Sequence, residues 1–322
     1  MSTPLVEVEG LTKRFDQLIA VDNLNFTAAR GEILGLVGPD GAGKTTTLRV
    51  LAGVLPADTG TVRVAGVDVG RDPEAVRSRV SYMPQHFGLY EDLTVDENIR
   101  FYAEIFEVEP AAREQRAAQL LAASGMSPFR RRLAGQLSGG MKRKLGLACA
   151  LIHTPLVLFL DEPTTGVDPV SRREFWSILY ALIFEGVTVI ISTAYLDEAE
   201  RCHRLLLLHQ GHLLFSGTPT ALKRMLPGTV LAISAPNPQQ LETVVAGAEG
   251  VLTTMAMGDA LHIVVDAPER RIPELHARLQ RAGLACGAIS QTDATVEDVF
   301  VFAISRQETT EHDRSPTLQQ HA

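Results

Sequence analysis

Long apolar runs, paired cysteines and excess positive charge are all scarce in this 322-residue chain, and each scarcity excludes a class of protein. The longest apolar stretch, around residues 145–160, is broken by His153 and Pro155 and ends at Asp161. That is short of the roughly 20 residues a spanning helix needs, so the chain is not expected to cross a membrane alone. Cys149, Cys202 and Cys286 have no metal-ligand spacing, and an odd number does not make a disulfide framework. They read as buried or inert thiols in a reducing cytosol. Lys and Arg number 30 against 38 Asp and Glu, so the net charge of −8 offers no general attraction to nucleic acid. The first seven residues have neither a basic nor an apolar segment, and no secretory signal is expected.

What is present is an alternation of short apolar strands and helices, the pattern of an α/β protein with a parallel sheet. The length fits roughly two domains of about 150 residues each. Residues 5–36 read as strands and turns, 61–64 and 80–83 as further strands, and about 89–153 as an inserted helical lobe rich in Ala, Glu and Arg. Strand and helix then alternate at 156–160, 170–184, 187–192 and 196–204. Pro227-Gly228 suggests a boundary that closes a first domain at 226. Beyond it, over 228–305, the order βαββαβ predicts a small ferredoxin-like α+β module. The polar tail 306–322, with Ser315-Pro316, is expected to be disordered.

Gly38-Pro39-Asp40-Gly41-Ala42-Gly43-Lys44-Thr45 fits the phosphate-loop pattern G-x-x-x-x-G-K-[ST]. A buried strand, Ile33-Leu34-Gly35-Leu36-Val37, precedes it and a helix through Thr46 follows. Glycines let successive N–H groups face phosphate oxygens at a helix N-terminus. Lys44 would neutralise the β- and γ-phosphates, and the Thr45 hydroxyl would ligate Mg²⁺. The apolar run Leu156–Leu160 reads as a strand buried on both faces, ending in Asp161-Glu162-Pro163. Asp161 would hold Mg²⁺ through water, and Glu162 is placed to polarise the water attacking the γ-phosphate. Between the two motifs lies Leu137-Ser138-Gly139-Gly140-Met141, in which Ser138 suits a helix cap.

Taken together, these three motifs resemble the ATP-binding cassette (ABC) family, whose signature is LSGGQ; Met141 stands where Gln is usual. The resemblance covers roughly residues 5–225. It implies a P-loop NTPase cassette with a RecA-like parallel sheet, an antiparallel β subdomain and the helical lobe. It also implies ATP and Mg²⁺ as ligands. Gln85 is similar to the family's Q-loop glutamine, which senses Mg²⁺ and the γ-phosphate and links to the membrane partner. Gly166-Val167-Asp168 resembles the D-loop, and Phe15 is placed like the aromatic that stacks on adenine. Phe15 also fits a buried core aromatic. In the family two cassettes pack head to tail, so Leu137–Met141 would serve the ATP of a second cassette, identical or not. The segment Ala294–Phe300 resembles ATPases of ABC-2-type exporters, such as those for daunorubicin-like drugs and other multidrug systems. Asp40 and Tyr195–Glu200 resemble the N-terminal half of tandem-cassette exporter ATPases.

That resemblance implies an ATPase subunit at the cytoplasmic face of the cell membrane, powering ABC-2-type membrane subunits. Phe87, Leu89 and Tyr90 mark either the surface for those subunits or core packing. One position departs from the family. Its usual histidine, which contacts the γ-phosphate, is Ala194 here, and a methyl group neither donates a hydrogen bond nor moves a proton. Losing such a group costs on the order of 10² to 10³ in rate. His203, along a helix expected over 196–204, would lie roughly 13 Å away and cannot replace it. An alternative is therefore a mainly structural subunit with a weakened site of its own that completes a partner's. A soluble ABC protein on ribosomes or DNA would carry two cassettes or long coiled coils. A small-molecule kinase would lack the Ser-Gly-Gly turn.

Overall fold

Buried strands set the frame of the protein, which is described over residues 4–303 by a computed structural model. The described residues form two compact units, the first ending at Gly217 and the second beginning at Thr218, ahead of the Pro227-Gly228 boundary. The tail expected to be disordered, 306–322, lies outside the described residues.

The first unit begins with strands β1 (Val6–Phe15) and β2 (Leu18–Ala28), paired antiparallel. Strand β3 (Ile33–Val37), buried at every residue, leads through the glycine loop into helix α1 (Lys44–Leu51). Strands β4 (Thr59–Val64) and β5 (Val67–Asp68) complete an antiparallel sheet of order β2-β1-β4-β5. Helix α2 (Pro73–Arg77) then precedes β6 (Val80–Met83). The helical lobe consists of α3 (Val95–Ile105), α4 (Pro110–Ala123) and α5 (Gly139–Leu151). Thr94 and Glu97 form a reciprocal capping box that starts α3, satisfying two otherwise orphaned backbone donors.

The alternation resumes with β7 (Val157–Asp161), α6 (Pro169–Phe184), β8 (Thr188–Thr193), α7 (Leu196–Ala199), β9 (Arg204–His209) and β10 (His212–Gly217). These strands build a six-stranded sheet of order β10-β9-β3-β8-β7-β6, parallel except for β10. Both of its faces are covered. Leu34, Leu36, Phe159 and Ile190 face a core shared with α1 and the antiparallel sheet. Leu158, Leu160, Val189 and Ile191 face a core shared with α5 and α6. Two covered faces are why β7 reads as an unbroken apolar run. The helix expected over 196–204 is corrected here: it stops at Ala199, and the chain bends into β9 because Leu205–Leu208 are needed beside β3 in the sheet.

The second unit opens with α8 (Pro219–Lys223), followed by β11 (Thr229–Ser234), α9 (Pro238–Val245), β12 (Val251–Met257), β13 (Ala260–Val265), α10 (Pro268–Arg281) and β14 (Ile289–Thr292). From β11 onward the element order is the expected βαββαβ. The sheet order β12-β13-β11-β14, antiparallel throughout, is the ferredoxin-like arrangement. Residues 296–303 are helical. Buried Asp298 accepts from the Thr295 N–H and hydroxyl, each at 2.8 Å, capping that helix. His262 Nδ1 on β13 donates to Asp298 at 2.9 Å and ties the helix to the sheet.

That bond, opposed by partial burial, raises the His262 pKa above its ordinary 6.5. Burial works to raise the Asp298 pKa, but the bonds from His262 and Thr295 outweigh it and hold the carboxyl below 3.8. A raised imidazole pKa gives stability that is fully present below the unfolded value and lost as pH rises through the folded one. A depressed carboxyl gives stability that is lost as pH falls through its folded value. Hydrogen-exchange protection over 296–303, corrected for intrinsic rates, should therefore peak near about pH 5 to 6 and decline as His262 deprotonates. His262→Gln should flatten the alkaline decline; identical profiles would refute the assignment.

Candidate functional site

The phosphate loop is held open by its glycines. Gly43 precedes α1 at φ 97°, and a Cβ there would lie 2.4 Å from the Ala20 carbonyl, so no other residue fits without moving β2. No side chain caps α1, which leaves the N–H groups of its first turn available at the positive end of the helix. Lys44 is 3% exposed, and its ammonium donates to the carbonyls of Gly38 at 2.7 Å and Pro39 at 3.0 Å. The same ammonium faces Glu162 Oε1 at 3.3 Å. The loop thus curls around its own lysine, an arrangement suited to an anion.

Asp161 closes the floor of the site. Its carboxylate is buried and accepts three hydroxyl bonds, from Ser192 at 2.7 Å, Thr45 at 3.0 Å and Tyr82 at 3.1 Å. A carboxylate taken from water needs such partners, since an uncompensated buried charge costs several kcal/mol, about 3 to 5. Burial, opposed by nearby Arg49 and assisted by the Asp161 charge, pushes the Tyr82 phenol up to about 12 and keeps it a donor. Glu162 follows at φ 45°, a left-handed conformation unusual outside glycine, and its N–H donates to Ser192 Oγ at 2.9 Å. The turn brings the Glu162 carboxylate back towards the loop. Its Oε2 accepts from Gln85 Nε2 at 3.2 Å and Thr165 Oγ1 at 3.4 Å.

Position 194 is held just as firmly. Thr193 donates to buried Glu198 at 2.9 Å and accepts from the Tyr195 N–H at 3.0 Å, while Trp176 Nε1 donates to Glu198 at 3.3 Å. The Arg172 guanidinium lies 4.5 Å from the Tyr195 ring centroid. Ala194, between these anchors, lines the cleft. His203 is no substitute, though not for the helical spacing first expected. Its Nδ1 accepts from the Ile33 N–H at 2.9 Å, at the start of β3 and away from the loop that follows β3.

A cleft of about 890 Å³ gathers most of the residues that the sequence singled out: Phe15, Asp40, Gly41, Ala42, Gly43, Lys44, Thr45, Thr46, Gln85, Glu162 and Ala194. Gly38 and Pro39 join it through Lys44, and Asp161 lies behind Thr45. Phe15 is 46% exposed, which settles it as a surface aromatic rather than a core one. The Leu137–Met141 turn and Asp168 do not line this cleft. Ser138 caps α5 by accepting from the Met141 N–H at 3.3 Å, and Asp168 caps α6 by accepting from Val170 and Ser171. A Cβ on Gly140 would lie 2.4 Å from Ser171 Oγ, so the two caps abut. Arg143 on α5 donates to the Gln85 carbonyl, joining the Ser-Gly-Gly helix to the Gln85 loop.

Sequence reasoning passed over Tyr82, Ser192, Thr165, Tyr195 and Gln210. Tyr82 and Ser192 carried a usable signal, since each is a polar residue within a short apolar strand. A second cleft of about 810 Å³ lies beside Tyr82, lined by Phe87, Tyr102, Ile105 and Phe106, with His153 stacked on Phe106 at a centroid distance of 3.7 Å. Of the three residues left open between surface and core, Phe87 and Leu89 pack against the core, and Tyr90 is 47% exposed. Cys149 and Cys202 are buried, and burial raises both thiol pKa values, as expected of inert thiols.

Among the described residues, no helix is long and apolar enough to cross a membrane. The sequence pattern of the ABC transporter family matches residues 21–165. A probable multidrug ABC transporter ATP-binding protein of Escherichia coli K12 is 48% identical over 74% of this chain, which spans only 41% of that relative's length. The Nod factor export ATP-binding protein I of Burkholderia pseudomallei (strain 1710b) is 39% identical, covering 95% of this chain and 99% of the relative. The daunorubicin/doxorubicin resistance ATP-binding protein DrrA of Streptomyces peucetius is 37% identical over 93% and 92%. A solved ATP-binding subunit of an ABC transporter superposes with a TM-score of 0.63 at 29% identity, covering 69% of this chain and 92% of that one. The phosphate loop, the acidic strand end and relatives matched along nearly their whole length lead to one conclusion: the chain belongs to the ABC transporter family, among its ATP-binding proteins.

Proposed function

We propose that this chain binds MgATP in the 890 Å³ cleft and hydrolyses it as the motor subunit of an exporter. The observation that carries the reading is the placing of Glu162, whose carboxylate lies between Lys44 at the phosphate loop and Gln85. The α1 N-terminus and the Lys44 ammonium receive the β- and γ-phosphates. A phosphate at Lys44 competes with Glu162 for that ammonium, freeing the carboxylate to accept a proton from the attacking water. Thr45 and Asp161 offer hard oxygen donors that meet at 3.0 Å and suit Mg²⁺, with Gln85 close by. When bound with ATP, the ion supplies positive charge against the phosphate oxygens. Phe15 supports the adenine ring.

The turn at Ser138 stands apart from this chain's own cleft, which supports a head-to-tail pair in which it completes the ATP site of a second cassette. The 810 Å³ cleft, which carries Phe87, Tyr102, Ile105 and Phe106 on its lining and includes Phe87 of the segment after Gln85, suits a segment of an ABC-2-type membrane subunit. On this reading the working chain acts at the cytoplasmic face of the membrane, with drug-like compounds as the substrate class, which the names of the relatives support. Ala194 leaves the γ-phosphate end of the cleft without an imidazole, so turnover there is slow. A subunit that mainly completes a partner's site is the limiting form of the same reading.

Glu162→Gln should keep nucleotide affinity and lower phosphate release by about 10² to 10⁴. Equal turnover in the variant would remove Glu162 from catalysis. Ala194→His should raise turnover of the purified chain, by up to the order of 10² to 10³ that such a group supplies. No gain would mean that the missing imidazole does not limit the rate. Ser138→Arg should leave ATP affinity of the isolated chain unchanged while suppressing ATPase activity of the assembled transporter. Retention of full activity in the assembly would refute the head-to-tail role.

A further inference from the structure

Gln210 occupies a backbone conformation that its type seldom adopts. With Gly211 it makes the two-residue turn between β9 and β10, at φ values of 47° and 82°, while His209 and His212 pair across the turn. A turn with two positive φ values favours Asn-Gly or Asp-Gly, because short polar side chains tolerate the left-handed region. Glutamine is a poorer choice there. The turn is also strapped down: the Asp22 N–H donates to the Gly211 carbonyl at 2.9 Å, and the Gly211 N–H donates to the Ala42 carbonyl at 3.3 Å. Gln210 is thereby fixed beside both β2 and the phosphate loop, and it lines the nucleotide cleft.

Lys44 and Glu162 define the phosphate end of that cleft. The same lining also carries exposed apolar side chains, Phe15, Leu18 and Ile19. Such a plate accepts any base, since every base has a π-face. Discrimination needs a polar group that both donates and accepts. Asp40, also on this lining, has no N–H to donate, whereas the Gln210 carboxamide both donates and accepts. Adenine presents an N6 donor next to the N7 acceptor, a match for a carboxamide. Guanine presents two acceptors, O6 and N7, on the same edge.

We propose that Gln210 is the base-reading residue of this cleft, its carboxamide pairing with the N6/N7 edge of an adenine stacked on Phe15. Gln210 is one methylene longer than the asparagine such a turn favours, which gives its carboxamide a longer reach. This rests on the cleft being the nucleotide site, and the experiment separates the two claims. ATP and GTP compete against a ribose-labelled fluorescent ADP on the full chain, in the parent, Gln210→Asn and Gln210→Gly forms. Asn keeps the amide but is one methylene shorter, and both replacements suit the turn better, so folding is not at risk.

The parent should prefer ATP over GTP by roughly 5- to 150-fold, the worth of one good bidentate pair. In both variants the ratio should fall towards one through loss of ATP affinity, with GTP affinity unchanged and thermal stability equal or higher. A parent ratio near one, or an unchanged ratio in both variants, would overturn the role of Gln210 while leaving the nucleotide site intact. Failure of the parent to bind any nucleotide would overturn both claims.

Discussion

The Asp161 carboxylate is the point on which the site depends. Buried at the end of strand β7, it has almost no water to solvate its charge and takes hydroxyl bonds from three other elements: α1 through Thr45, β6 through Tyr82 and β8 through Ser192. Each bond offsets part of the desolvation cost, and each also fixes an element that carries function. Thr45 opens the helix behind the phosphate loop, β6 leads to Gln85, and β8 leads to Ala194. A satisfied buried charge thus sets the register in which a loop, an acid and a flanking strand meet.

The same constraint explains the geometry of Glu162. The residue after a fully buried aspartate must leave the strand, and it does so at positive φ with its N–H held by Ser192. That turn directs the carboxylate at Lys44 and Gln85 rather than at solvent. Gln85 in turn is held by its carbonyl, which Arg143 of α5 engages. The helix that begins at Ser138 is therefore joined to the loop that touches Glu162. Glu162 and the Ser-Gly-Gly helix are thus joined through Gln85 and Arg143 within one chain.

The local motifs were legible from the residues because their chemistry is contiguous. A phosphate loop needs its glycines, Lys44 and Thr45 in one run, between a buried strand and a helix, and a strand covered on both faces reads as the apolar run before Asp161. What failed were signals that local composition cannot separate. Residues 196–204 contain good helix formers, but tertiary pairing claims Arg204–His209 as a sheet strand beside β3 and leaves a helix of only Leu196–Ala199. Phe15 suited core or surface equally well until its position at the end of a hairpin exposed it. Tyr82 and Ser192 stand out as polar residues in short apolar strands, but their shared partner Asp161 is met only across the sheet, many residues away in the chain.

By itself, then, the sequence determined the family, the phosphate-loop pattern and the alanine at position 194, because those depend on which side chains stand in short contiguous patterns. Only the tertiary structure decided which distant hydroxyls satisfy Asp161, that Glu162 rests against Lys44, and that the turn at Gln210 lines the cleft. It also placed the Ser138 turn outside the cleft that its own chain forms. The physical reason is the same in each case. Burial makes an unpaired polar group costly, and the partner that satisfies it is selected by the packing of whole sheets and helices rather than by neighbours along the chain.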